Sequence, residues 1–232
     1  MLNWTVRYLP ILRILKRELD ESESILEIGS GPVGIGKFYP VPFVGCDVSF
    51  AWEPRAPMSP VMASATELPF KDRSFDGVIA SDVLEHVPPD RREVVVSEAM
   101  RVARKLAIFG FPSGSQAFDC DRELAQIYDR RQKAKPEWLQ EHMLHPFPTV
   151  ALFEGLQRDW IITSFGNENI HFHYWIMQKE MNGAWRRCFK IVLAAFPRIV
   201  ESILKRTDQE PCYRKIVVIR KTPKPDLAVV EL

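Results

Sequence analysis

The chain has 232 residues, with 31 lysines and arginines against 30 aspartates and glutamates, for a formal net charge of +1. That balance supplies neither a basic field to gather nucleic acid nor an acidic tail, and the length suits one α/β domain with insertions rather than two independent domains. Cys46, Cys120, Cys188 and Cys212 are scattered without a C-x-x-C pair, which argues against a zinc knuckle or disulfide framework and for a reducing cytoplasm.

Residues 1–13 lack a signal peptide's long apolar core, and no run approaches the ~18 apolar residues that span a bilayer. A soluble, cytoplasmic protein is expected. Ile11, Leu12, Ile14, Leu15 and Leu19 share a helical stripe with Arg13, Lys16, Arg17 and Glu18 largely opposite, so residues 1–20 should hold a packing helix. Strands are predicted near 24–28, 43–47, 60–64, 75–80 and 105–111. Their alternation with helices or short turns is that of a parallel sheet.

The first strand, Ile25-Leu26-Glu27-Ile28, runs straight into Gly29-Ser30-Gly31-Pro32-Val33-Gly34. Glycines at 29, 31 and 34 permit a tight turn with positive φ and let backbone N–H groups approach a ligand closely. The spacing is G-x-G-x-x-G, which by itself is compatible with a dinucleotide. Glu27 shifts the balance, because a carboxylate has little use beside a pyrophosphate and suits a cationic ligand. The second strand ends in Asp47, well placed for a ribose diol. Pro40 and Pro42 leave room only for a very short helix between these strands.

Further along stand Ala63-Ser64-Ala65-Thr66-Glu67-Leu68-Pro69-Phe70, then Ser74-Phe75-Asp76, then Leu84-Glu85-His86. In this order and spacing, the motifs of residues 24–111 resemble those of the class I S-adenosylmethionine (SAM)-dependent methyltransferases, in the broad small-molecule branch. The resemblance implies a Rossmann-like α/β fold whose seven-stranded, mostly parallel sheet has an antiparallel last strand, with SAM as cofactor. It implies that Glu27, Gly29 and Gly31, with Ser30 between them, line the methionine end. Asp47 and its neighbour Val48 would meet the ribose, Ala65 and Thr66 the adenine, and Ser81 the region of the reactive methyl. Ser64 stands where the family often has Asp, so Thr66 is expected to share the adenine contact. Phe70 and Phe75 are read as core side chains.

Pro88-Pro89-Asp90 should open a helix running to about Arg104, with Val94, Val95, Ala99, Met100 and Val102 mostly inward. Beyond Phe111 the family pattern is lost. Residues 149–158 read as a helix, 160–165 as a sixth strand and 213–221 as a seventh. Two helical insertions remain, 115–147 and 170–210, the second with a kink at Pro197. Ligands of open α/β sheets bind at the carboxyl ends of the strands, so the insertion leaving the fifth strand should cap the substrate site.

An oxygen acceptor needs a base to take its proton. His86 and His142 are the leading candidates, with Asp82, Glu85 and His145 also near the pocket or in the cap. Asp82, Glu85 and His86 have the acid-x-x-acid-His spacing of some metal-binding methyltransferases, a weaker alternative to a metal-free site. His171 and His173 alternate with Phe172 and Tyr174 as at a strand end. The basic and aromatic stretch 185–204 is a surface for peripheral membrane contact, or for a homodimer. The acceptor is expected to be a small molecule, glycan or lipid-linked compound and not a nucleic acid. A non-catalytic methyltransferase-like scaffold and an NAD-dependent oxidoreductase are the competing classes. Residues 222–232 read as a loose tail.

Overall fold

The computed structural model describes residues 2–156, 159–195 and 197–222. Seven strands form one sheet: β1 (Ile25–Ile28), β2 (Phe43–Asp47), β3 (Met58–Met62), β4 (Phe75–Ser81), β5 (Ala103–Pro112), β6 (Trp160–Asn169) and β7 (Cys212–Lys221). Their order is β3-β2-β1-β4-β5-β7-β6. The pairings from β3 through β5 are parallel, whereas β7 runs antiparallel to both β5 and β6. The chain order reverses between β1 and β4, and a ligand crevice opens at the strand ends beside such a reversal.

Alternation along the central strands divides two cores. Leu26, Val78, Ala107, Phe109, Val217 and Ile219 pack on one face with Val95, Val96, Ala99 and Val102 of helix α2 (Arg92–Val102). Ile25, Ile79, Leu106, Ile108, Ile216 and Val218 pack on the other with Ile11, Leu12, Ile14 and Leu15 of α1 (Leu2–Glu18). Successive strand side chains point to opposite faces, so helices on both sides require the near-continuous apolar runs seen here. Phe75 is buried in the first core, and the half-buried Phe70 packs edge to face against it.

α1 spans Leu2–Glu18, within the expected residues 1–20, with Pro10 inside it. Several other predicted elements are revised. A 3-10 turn over Pro89–Arg91 precedes α2, and Val94 is exposed while Val96 is buried. A predicted helix at 149–158 is a single 3-10 turn, Val150–Phe153, with residues 157 and 158 outside the described set. His171 and His173 lie in helix α5 (Ile170–Glu180), not at a strand end. The side chain of Asn169 accepts from the N–H groups of His171 and Phe172, at 3.0 and 3.4 Å, and this cap starts the helix where aromatic alternation suggested strand.

The first insertion forms α3 (Gly114–Arg130) and α4 (Glu137–His142); the second forms α5, α6 (Gly183–Ala195) and α7 (Pro197–Arg206). Leu124, Ala125, Leu139 and Met177 join α3, α4 and α5, while Ala117 and Cys120 pack with Tyr213 of β7. The cap is therefore built into the domain rather than hung from it. Residues 223–232, read as a tail, lie outside the described residues.

Candidate active site

A cavity of about 640 Å³ opens at the carboxyl ends of β1, β2 and β4. Gly29, Asp47, Val48, Ser64, Ala65 and Thr66 line one part of it; Asp82, Val83 and His86 line another, and Glu137, Glu141 and Leu144 from the cap complete it. Expected cofactor residues from three separate segments thus meet in one crevice.

The glycine turn is tied down from both sides. Gly29 donates its N–H to the Cys46 carbonyl at 2.8 Å, and Gly31 donates to Asp47 Oδ2 at 2.8 Å. Gly29 has φ +69°, and a Cβ there would sit 2.3 Å from Val83 Cγ2. Both the backbone and the packing therefore demand glycine. Asp47, half-buried at the end of β2, orients the turn and faces the cavity at once. Ser64 Oγ and Thr66 Oγ1 lie 2.8 Å apart, and the Thr66 N–H donates to Ser64 Oγ at 3.2 Å. The two hydroxyls act as one polar unit on the cavity wall.

Glu27, expected at the methionine end, is buried beneath the turn and is not a lining residue. Its Oε1 accepts from the Tyr8 hydroxyl and its Oε2 from the Ile35 N–H, each at 2.7 Å. Gly34 leaves the space that carboxylate needs, because a Cβ there would come within 2.1 Å of Oε2. Burial pushes the Glu27 carboxyl up to about 7, even though the Tyr8 and Ile35 hydrogen bonds oppose the shift. Ser30 is also buried and donates its Oγ to the Gly31 carbonyl at 2.9 Å. Ser81 is buried beside Gly110 and is not a lining residue, whereas Gly31, with φ +53°, is half-buried and a Cβ there would meet nothing within 4 Å.

At the other end lies a buried polar network. Asp82 receives Arg214 Nε at 2.8 Å and Arg7 Nη1 at 3.0 Å. Burial alone would raise its carboxyl, yet Arg214 and Arg7 hold it well below the usual carboxylate range. Arg214 also donates to Glu168 at 2.6 Å, and Glu168 faces His173 Nδ1 at 3.1 Å. His173 stacks on Tyr213 with ring centroids 3.5 Å apart, and the Tyr213 hydroxyl donates to Asp121 Oδ2 at 2.7 Å. The same oxygen lies 2.6 Å from His142 Nδ1.

His86 and His142 come together, with ring centroids 5.0 Å apart. His86 lies on the cavity wall with its side chain 29% exposed, and its Nδ1 lies 2.7 Å from Glu141 Oε2. His142 is buried behind it, its Nε2 3.8 Å from Glu85 Oε1. Glu85 is completely buried, and burial followed by the nearby Asp82 charge pushes its carboxyl well above the ordinary range. His145 is not among the residues lining this cavity. Arg7, Asp121, Glu141, Glu168, Tyr213 and Arg214 went unnoticed in the sequence as site residues. Arg214 gave little signal, standing beside Lys215 just before the apolar run Ile216–Ile219.

Residues 26–111 match the model of a family described as a methyltransferase domain. The solved structure of a plantazolicin methyltransferase with S-adenosylhomocysteine superposes with a TM-score of 0.52 at 9% identity, over 94% of this chain and 82% of that one. A Galdieria sulphuraria protein provisionally assigned as a sarcosine dimethylglycine methyltransferase gives 0.51 at 14% identity, over 97% and 85%. A phosphoethanolamine N-methyltransferase from Haemonchus contortus, solved with SAM, gives 0.50 at 18% identity, over 91% of this chain and 52% of that one. No curated protein sequence matches. Residues 26–111 thus match a methyltransferase domain, and the chain as a whole shares its fold with solved methyltransferases.

The residues present fit SAM. The crevice offers a glycine turn, a carboxylate at the end of β2 and a paired hydroxyl unit, and among its lining residues there is no lysine or arginine to pair with a pyrophosphate.

Proposed function

We propose that the protein transfers a methyl group from SAM to a small-molecule, glycan or lipid-linked acceptor, and that the atom methylated is an oxygen. The observation that supports this most is the shared cavity: cofactor-side residues Gly29, Asp47 and Thr66 and polar groups His86, Glu137 and Glu141 line one space.

SAM supplies the electrophilic methyl and the sulfonium leaving group. In this reading Asp47 holds the ribose hydroxyls, and Ala65 with the Ser64–Thr66 pair holds the adenine. Gly29 and the turn approach the methionine portion. Glu27 and Ser30 shape the turn from behind, Gly31 leaves its outer side open to the methionine portion, and Ser81 supports the floor. Methyl transfer is an in-line displacement, so alignment of acceptor and methyl carries most of the catalysis. The acceptor's proton leaves at the polar end, where His86 and His142 stand with their Nδ1 atoms held by Glu141 and Asp121.

No helix among the described residues is long and apolar enough to cross a membrane. Trp185, Ile191 and Val192 of α6 are exposed near Arg186, Arg187 and Lys190, a composition that supports peripheral contact with an anionic bilayer. That surface suits access to a lipid-linked acceptor from the cytoplasmic side. Sedimentation with anionic vesicles tests the contact, and self-association without vesicle binding would instead favour a homodimer.

The activity is tested by incubating the protein with methyl-labelled SAM and panels of phenols, sugars and lipid-linked sugars. Label in an ether or ester product supports the proposal. SAM binding with labelled amine products would move the acceptor to nitrogen. Failure to bind SAM would favour a scaffold, and NAD binding alone an oxidoreductase.

A further inference from the structure

We propose that Glu85, His86 and His142 form a binding site for a divalent transition-metal ion at the acceptor end of the cofactor cavity. One donor atom from each of the three lies within 4.8 Å of the other two. The inference rests on the proposed reading of this pocket and changes one part of it: the imidazoles would hold the ion, the ion would make the acceptor hydroxyl acidic, and the proton released would pass to solvent water at the cavity mouth.

Four observations converge on this set. Both histidines have Nδ1 engaged by a carboxylate, Asp121 at 2.6 Å for His142 and Glu141 at 2.7 Å for His86. This is the outer arrangement that orients ligating imidazoles, leaving Nε2 for the ion. Glu85 is fully buried, and neither of its oxygens finds a hydrogen-bond partner on another residue. A carboxyl so placed stays protonated when nothing binds it, and gives up that proton to a cation that reaches it. The Glu85 Oε1 to His142 Nε2 separation is 3.8 Å, against about 3.3 Å for two ligands at ~2.05 Å from a tetrahedral ion. Closing that gap takes about half an ångström. Finally, His86 lies on the cavity wall, so a fourth position faces the space where an acceptor oxygen would enter.

Two imidazoles and one carboxylate suit zinc, cobalt, manganese or iron(II), whereas calcium requires an all-oxygen set. Asp82, the first acid of the acid-x-x-acid-His run, is excluded as a ligand by Arg7 and Arg214, which occupy its oxygens at 2.8 to 3.0 Å. His142, far away in sequence, takes its place.

The test uses the full chain stripped with a chelator and titrated with Co²⁺, followed by visible absorption and by calorimetry with Zn²⁺. The expected result is one ion per chain with the visible bands of a low-coordinate Co²⁺ site. Glu85→Gln and His142→Ala should each weaken binding by more than the 10- to 100-fold typical of losing an outer partner, whereas His171→Ala, exposed on α5, should bind as wild type. Glu85→Gln nearly preserves shape, and thermal melting with SAM titration verifies folding of each variant. Unchanged Co²⁺ affinity in folded Glu85→Gln, or equal loss in His171→Ala, overturns the site. SAM binding without a Co²⁺ site would sink the metal alone, and a Co²⁺ site without SAM binding would sink the methyl-transfer reading alone.

Discussion

Asp121 Oδ2 lies 2.6 Å from His142 Nδ1, and both side chains are buried although 21 positions separate them on different helices. The carboxylate fixes which ring nitrogen is turned toward Glu85 and the cavity. Asp121→Asn should therefore leave SAM affinity intact and lower kcat by about 10–100-fold. Steady-state kinetics beside a SAM titration checks this, and an unchanged kcat would remove Asp121 from the mechanism. Tyr213→Phe should lose less, since it leaves the Asp121–His142 contact in place.

The glycine turn offers a sharper test of the cofactor pocket. Gly29→Val forces a branched residue to φ +69° and drives its Cβ to 2.3 Å from Val83 Cγ2. Asp47→Ala removes the Gly31 tether and, in the proposed reading, the ribose acceptor. Charge-assisted hydrogen bonds are worth about 1.5–3 kcal/mol each, so SAM should bind at least ~100-fold more weakly to Asp47→Ala. Circular dichroism verifies folding, and retained SAM affinity in both folded variants would sink the pocket.

Glu27 predicts a dependence of stability on pH. Burial, opposed by Tyr8, Ile35 and Arg7, raises its folded pKa from 4.5 to about 7. Between these values the folded protein binds more protons than the unfolded chain. The stability Glu27 contributes is therefore greatest below pH ~4.5 and is lost as pH rises to about 7, by as much as ~3 kcal/mol. Glu27→Gln should flatten this part of the profile in urea unfolding measured from pH 5 to 8. An identical slope in the variant would show that other groups carry it.

Arg214 bridges Asp82 and Glu168 in the buried network. Arg214→Met leaves both acids without their main counter-ion, and removal of one partner from a buried pair typically costs about 3–5 kcal/mol. Chemical denaturation should show a loss of this size. A loss below ~1 kcal/mol would mean that water or Arg7 compensates.

The parallel half of the sheet could be read because each strand is a short apolar run ending at a turn with its own signal: glycines after β1, Asp47 after β2 and Ser64-Ala65-Thr66 after β3. Local chemistry set those boundaries. The buried network had no such local signature. Arg7, Asp121, Glu168 and Arg214 lie on α1, α3, β6 and β7, and their meeting follows from β7 inserting between β5 and β6. His142 was a candidate from the sequence, but Asp121 beside it was invisible, as an aspartate in an amphipathic helix ordinarily faces water. Glu27 shows the opposite limit. Its position before the glycines marked the turn correctly, while its role depended on Tyr8, which only the packing of α1 reveals.

The most direct measurement is a calorimetric titration of the full chain with SAM, S-adenosylhomocysteine and NAD, with Asp47→Ala in parallel. The account predicts binding of the first two at one site per chain, none of NAD, and loss of both in the variant. NAD binding alone, or no binding of SAM by the folded wild type, would contradict it.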